Sequence, residues 1–354
     1  MIVYYSFVSF SIMLAMYLEK IKHKKISNQK MILWILILAL SILSGFRGYD
    51  VGTDTKHYTR IFNFIYYGGT SNLEFGFVYI TGFLMNIFKD AQYLFFVYAF
   101  LTNAFIIRRL WDFKNIASFS FMCFLYIGIF FPQSMNILRQ YLALAIVFWG
   151  TRYLDKMQYL KYSFIVVFSA FFHFSSLISF LLLPIHYFFS SKLTRMKVVM
   201  CVVGILATPI MIYILYIIQN HYSGYMVALE EGFSLLILMR VLGVLFFYII
   251  HIYSRTFLCD FSNEKNKSNY IPYIYVLGVI LSTLGAFFPY VGRIALIFML
   301  FEIIFISMIV KNEKLPIYKI AYIFLTMYFM IYKLSVLGET GIMPYHMFFN
   351  KILN

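Results

Sequence analysis

"MILWILILALSILSG", Met31–Gly45, is an apolar run without a single charge. With its flanks it approaches the ~20 residues that cross a hydrocarbon core as a helix. Apolar runs of this kind recur along the chain, beginning with Met1–Leu18. In lipid every backbone N–H and C=O has to be paired within its own segment, so such runs must be helical. Composition agrees. The chain has 354 residues, 62% hydrophobic and 12% charged, with a mean hydropathy of +0.82. A soluble domain carries about 25% charged residues. The sequence therefore predicts an all-α, polytopic transmembrane helix bundle, a single integral membrane domain over residues 1–354. It has room for about 10–12 spans, each near 20 residues, plus re-entrant segments.

Several chemistries drop out. Cys123, Cys201 and Cys259 are scattered and lack disulfide or zinc spacing, and no other set of residues has metal-ligand spacing. No Gly-rich phosphate loop is present, and no motif demands a metal or a soluble cofactor. Met1–Leu18 has no preceding basic residue and no small-residue cleavage site, so it reads as a retained first helix. The net charge of +15 sits in short loops between helices. It reports topology and contact with membrane lipid head groups, and not nucleic acid.

Those loops orient the chain. "EKIKHKKISNQK" is the most basic and is expected in the cytoplasm, which sends Met31–Gly45 outward. The next apolar segment, Glu74–Phe88, is short and broken by glycines. If it does not cross, residues 46–92 form one extracytoplasmic loop with an interfacial or re-entrant helix, and "RRLWDFKN" (Arg108–Asn115) returns inside. A fold-back near His173 within Tyr162–Phe189 then places the remaining basic loops inside as well. Together these loops hold 20 of the 29 Lys and Arg residues. Simple alternation of single spans would scatter them.

On this topology one polar island faces outward: "FRGYDVGTDTKHYTRIF", Phe46–Phe62. Gly48 and Gly52 permit tight turns. Asp54, flanked by Thr53 and Thr55, either caps a helix or accepts a hydrogen bond from a ligand. His57 and Arg60 lie three apart on a helix and share a face. Arg47 and Arg60 beside a carboxylate suit an anionic sugar phosphate, because guanidinium forks match phosphate oxygens. Tyr58 is one of several tyrosines near the loops that could stack on a sugar ring.

Three further helix mouths carry chemistry. In "MNILRQYLALAI", Asn136, Arg139 and Gln140 fall on one helical face. Arg139 is either a snorkelling anchor or a substrate-facing charge. In "SAFFHFSSLI", His173 is either a satisfied structural residue or a proton acceptor near neutral pH. In "FFPYVGRIALIF", Arg293 opens a late helix. Arg47, Arg139 and Arg293 would repel one another unless an anion bridges them.

The order "FR…VGTDT", "NILRQYLA", "FHFSSLI" and a late "GR…F" is similar to the EpsG family of bacterial exopolysaccharide and O-antigen polymerases of the Wzy type. The resemblance implies a GT-C-like polymerase architecture at the outer face of the bacterial cytoplasmic membrane. It implies glycosyl transfer between oligosaccharide repeat units carried on undecaprenyl diphosphate. Arg47, Arg139 and Arg293 would then neutralise the diphosphate, with Thr53, His57, Tyr58, Arg60, Asn136 and Gln140 lining the substrate. Asp54 or His173 would orient or deprotonate the acceptor hydroxyl. A chain-length regulator stays open as a partner.

Two rival readings stay open. A flippase for the same lipid-linked sugar needs a polar path through the bundle, for which Arg240 and Glu302 are the only candidates. A membrane O-acyltransferase also uses an intramembrane histidine but needs a cytoplasmic acyl-donor site.

Overall fold

The computed structural model describes residues 1–23, 25–69, 73–189, 270–285, 289–311, 316–338 and 340–348. Cys201, Cys259, Arg240 and the loops between residues 190 and 269 lie outside them. Chain order runs α1 Ile2–Lys20, α2 Ile26–Gly45, α3 Thr55–Tyr66, α4 Phe75–Phe88, α5 Ala91–Asp112, α6 Phe119–Leu125, α7 Phe131–Asn136 and α8 Leu138–Leu154. Then follow α9 Tyr159–Ala170, α10 Leu182–Phe189, α11 Ile271–Gly285, α12 Pro289–Lys311 and α13 Pro316–Met327. Among the described residues there is no strand, and the bundle is all-α as the apolar runs require. Among the described residues, five stretches are long and apolar enough to cross a membrane: Ile2–Lys20, Ile26–Gly45, Ala91–Asp112, Val291–Lys311 and Lys319–Val336.

The chain forms two compact units. One holds Met1–Tyr153, Leu160–Leu177 and Ile306–Asn354; the other holds Leu154–Tyr159 and Ile178–Phe305.

In the first unit α2 and α5 pack side by side and antiparallel. At one end, Gln92 Nε2 donates to the Gly45 and Arg47 carbonyls. At the other end, Lys114 Nζ donates to Gln29 Oε1 at 3.1 Å. There too, Glu19 Oε2 accepts from Ser118 Oγ at 3.1 Å and from the Ser120 N–H at 3.0 Å. The loops "EKIKHKKISNQK" and "RRLWDFKN" therefore share an end, and residues 46–91 leave and return at the opposite one.

The excursion 46–91 is held by its own amphipathicity. Helix α3 buries Thr55, Tyr58, Phe62 and Ile65, the spacing of one apolar face, and exposes His57 and Arg60 on the other. Its buried face meets α4 and α5 in an aromatic cluster of Phe62, Phe77, Phe95 and Tyr98. Ring pairs at such separations add about 0.5–1.5 kcal/mol each beyond their buried area.

The apolar run after Tyr159 does not continue as one helix. Helix α9 stops at Ala170, where the Phe172 and His173 N–H groups both turn back to the Ser169 carbonyl. A short 3₁₀ stretch, Phe174–Leu181, follows. In the second unit the rings of Tyr159 and His186 lie 5.7 Å apart. A straight helix between them would span about 40 Å. The chain has reversed near His173.

Candidate active site

Arg47 lies two residues past the end of α2 and is fully buried. All three guanidinium nitrogens donate within the first unit: Nε to Thr55 Oγ1 at 2.9 Å, Nη1 to the Ser44 carbonyl at 2.5 Å, and Nη2 to the Met135 carbonyl at 2.7 Å. Ser44 and Met135 belong to the last turns of α2 and α7, whose carbonyls have no intrahelical partner and carry the negative end of the helix dipole. One cation thus closes two helix ends, with its guanidinium 4.6 Å from the Phe95 ring centre. Burial pushes Arg47 down to about 10, so it stays charged at neutral pH.

Residues 340–348 close over the polar loop. The Gly48 N–H donates to the His346 carbonyl at 2.9 Å, the Gly52 N–H to Gly341 at 2.7 Å, and the Phe348 N–H to Phe46 at 2.9 Å. Tyr345 OH reaches the Leu43 carbonyl at 2.5 Å, and His346 Nε2 lies 2.9 Å from Asp50 Oδ1. Gly52 has φ +91°, and a Cβ there would stand 2.6 Å from Asn136 Oδ1. Only glycine both adopts this turn and lets the loop rest on Asn136.

Asp54 occupies the N-cap position of α3, and its carbonyl accepts the Tyr58 N–H at 2.9 Å. Its carboxylate makes no capping bond. It takes Thr53 Oγ1 at 3.0 Å instead and is half-exposed, beside an exposed Thr53.

The expected single face of Asn136, Arg139 and Gln140 is interrupted. Helix α7 ends at Asn136, Ile137 takes φ −85° and ψ 59°, and α8 starts at Leu138. Asn136 is buried, with Nδ2 donating to the Thr340 carbonyl at 2.8 Å and Oδ1 lacking a hydrogen-bond partner among the described residues. Gln140 is buried in α8. Arg139 falls in the first turn of α8, the positive end of the helix dipole, where a cation needs a counter-charge.

Glu74, which the sequence reading did not single out, supplies it. Glu74 Oε2 pairs with Arg139 Nη1. Its Oε1 lies 2.9 Å from His173 Nδ1 and accepts the Phe174 N–H at 3.3 Å. The Arg139 guanidinium lies 5.3 Å from the Phe77 ring centre, a cation–π distance. Tyr58, whose ring packs against Phe62 and Phe77, accepts the Arg139 backbone N–H at 3.5 Å. Burial alone would raise the Glu74 carboxyl. The hydrogen bond from His173 and the Arg139 charge outweigh it and hold the group at about 2. A carboxylate on Nδ1 leaves the Nε2 lone pair as the imidazole's proton acceptor.

The first unit thus brings together Arg139, Glu74, His173 and Tyr58, and separately Arg47, Asp54, Thr53 and Asn136, with Tyr58, hydrogen-bonded to both Asp54 and Arg139, linking the groups. His57 and Arg60 stand on the exposed face of α3. Arg293 is exposed near the start of α12 in the second unit. Among the described residues no three His, Cys, Asp or Glu groups assemble as a metal site.

Fold and site define a multi-pass α-helical membrane protein whose polar chemistry gathers at one end of a helical unit. Residues 30–347 match the EpsG family, and the chain belongs to that family. No curated relative and no solved structure matches it. Membership supports, in general terms, a function of the exopolysaccharide- or O-antigen-polymerase type.

Proposed function

We propose that the protein is a Wzy-type glycosyltransferase that joins undecaprenyl-diphosphate-linked oligosaccharide repeat units. In this reading it works at the outer face of the bacterial cytoplasmic membrane. The observation that carries the reading is the Arg139–Glu74–His173 array. It places a guanidinium suited to a diphosphate next to an oriented imidazole suited to a hydroxyl, on a unit with no nucleotide-binding motif.

The acceptor hydroxyl of one repeat unit attacks the anomeric carbon of the growing chain. A C–O glycosidic bond forms, and the bond from the anomeric carbon to the diphosphate oxygen breaks. Undecaprenyl diphosphate leaves with the electron pair, and Arg139 neutralises its charge. His173 Nε2 takes the hydroxyl proton, while the half-exposed Asp54 orients the incoming sugar by hydrogen bonding. The exposed His57 and Arg60 serve longer-range attraction of the anionic carrier. Arg47, Asn136, Gln140 and Tyr58 hold the polar loop and the first turn of α8 in place.

The test is the lipid-linked glycan of a deletion strain. Single repeat units accumulating at the outer face support polymerisation. Accumulation at the cytoplasmic face points to a flippase, and an unchanged polymer lacking only acyl groups points to an O-acyltransferase.

A further inference from the structure

One carboxylate in the array serves two partners, one through each oxygen: Arg139 through Oε2 and His173 through Oε1. The side chains of Arg139 and His173 keep 19% and 26% exposure, and Glu74 between them only 11%. Solvent and ligand therefore reach the two outer groups more readily than the acid joining them. Arg139 Nε is buried and makes no hydrogen bond within the described residues. Its guanidinium meets Glu74 and the Tyr58 hydroxyl, whereas that of Arg47 is held by three acceptors.

The backbone fixes Glu74 independently of its side chain. The Phe77 N–H donates to the Phe171 carbonyl at 3.1 Å. Gly76 approaches so closely that a Cβ there would stand 2.6 Å from Phe171 Cβ. The start of α4 is thereby clamped to the turn that carries His173. The charged and titratable groups facing the pair, among the described residues, are Arg139 from α8 and, behind it, Tyr58 and Asp54 from α3.

We propose that Glu74 is a positioning residue that couples diphosphate recognition at Arg139 to proton acceptance at His173. At rest the negative charge of Glu74 is shared between the two. A diphosphate that draws the guanidinium to itself leaves the carboxylate to His173 alone. The Nε2 lone pair then becomes a stronger proton acceptor at the moment a donor is seated. The proton goes from the acceptor hydroxyl to Nε2, and the resulting imidazolium remains paired with Glu74. The identity of the diphosphate and of the hydroxyl rests on the polymerase reading; the charge coupling is a property of the resting protein.

The experiment reads His173 directly in the purified full-length protein. Diethyl pyrocarbonate acylates neutral imidazole, and mass spectrometry of the His173 peptide gives the pH at which half of that residue reacts. In Glu74→Gln this midpoint moves to lower pH, because the carboxylate on Nδ1 is gone. In Arg139→Gln it moves to higher pH, because the competing cation is gone. Glu74→Asp keeps the charge, and its midpoint stays near wild type. Elongation of lipid-linked repeat units is followed in the same samples, and the acid limb of kcat/KM moves in the same two directions.

Coincident midpoints in wild type, Glu74→Gln and Arg139→Gln overturn the coupling, as do shifts of the same sign in both Gln variants. If wild type elongates but the midpoints coincide, the coupling falls and the polymerase reading stands. If the opposed shifts appear and wild type elongates nothing, the coupling stands and the polymerase reading falls.

Discussion

Gln92 Nε2 hydrogen-bonds the Gly45 carbonyl at 2.5 Å, so the first turn of α5 stands on the last turn of α2. Residues 46–91 are therefore an excursion that crosses nothing on balance. Helix α4 within it is about 21 Å long at 1.5 Å per residue, short of a hydrocarbon core of about 30 Å. Cysteine at exposed Tyr67 is expected to react with an impermeant thiol reagent on intact cells. Cysteines at Asn28 and Asn115 should react only after the membrane is opened. Labelling of Tyr67 and Asn115 from the same side would refute this arrangement.

Arg47 and Arg60 should separate stability from surface charge. Arg47→Ala removes three buried hydrogen bonds and strands the carbonyls of Ser44 and Met135. A loss of about 3 kcal/mol or more is expected, since hydrogen bonds to charged groups contribute about 1.5–3 kcal/mol each. Arg60→Ala, on an exposed face, should leave the melting temperature in detergent unchanged. Equal melting temperatures for the two variants would contradict the buried role of Arg47.

The Glu74 carboxyl, held at about 2 against an ordinary 4.5, gives a pH signature. Its folded-state value is depressed, so the stability it contributes is complete above about pH 4.5 and fades as pH falls toward 2. The melting-temperature gap between wild type and Glu74→Gln should be wide at pH 7 and narrow at pH 3. A gap independent of pH would mean that Glu74 acts by shape alone.

Asp54→Asn keeps size and polarity but alters the acceptor that faces Thr53. Lipid-linked repeats should still bind, while elongation falls by about tenfold or more, the scale of one hydrogen bond to a charged group. Full-length polymer at equal protein abundance would return Asp54 to the role of a loop residue.

Arg139→Lys retains the charge but loses the planar fork that faces both Glu74 and the Phe77 ring. Elongation should drop by about tenfold or more, equivalent to ~1.4 kcal/mol of transition-state stabilisation. Wild-type polymer length from this variant would reassign Arg139 to anchoring.

Much of this architecture was legible because lipid leaves an apolar run no option but a helix. The shared end of the two basic loops followed from their charge, and the reversal near His173 followed from the parity that charge imposed. Arg139 and His173 stood out as ionisable groups in greasy surroundings. Glu74 did not, because an acid opening a helix is ordinary capping chemistry, and its partners lie 65 and 99 residues away. Arg47 read as a ligand group because nothing local announces three buried acceptors. The break at Ile137 was hidden by good helix formers on both sides of it. The segment Thr340–Phe348 carried no pattern at all, since most of its partners are backbone groups of a distant loop.

That segment also sets when the site can exist. Tyr345 and Leu43 are 302 residues apart in the chain. At about 5–20 residues per second of synthesis, the ribosome needs roughly 15–60 s to supply the second after the first. Through that interval α1 and α2 are already made, while the N–H groups of Gly48 and Gly52 still await the carbonyls that fix them. A nascent chain that has reached only α13 thus lacks the groups that hold the polar loop. The last contacts of that loop wait on translation past residue 340.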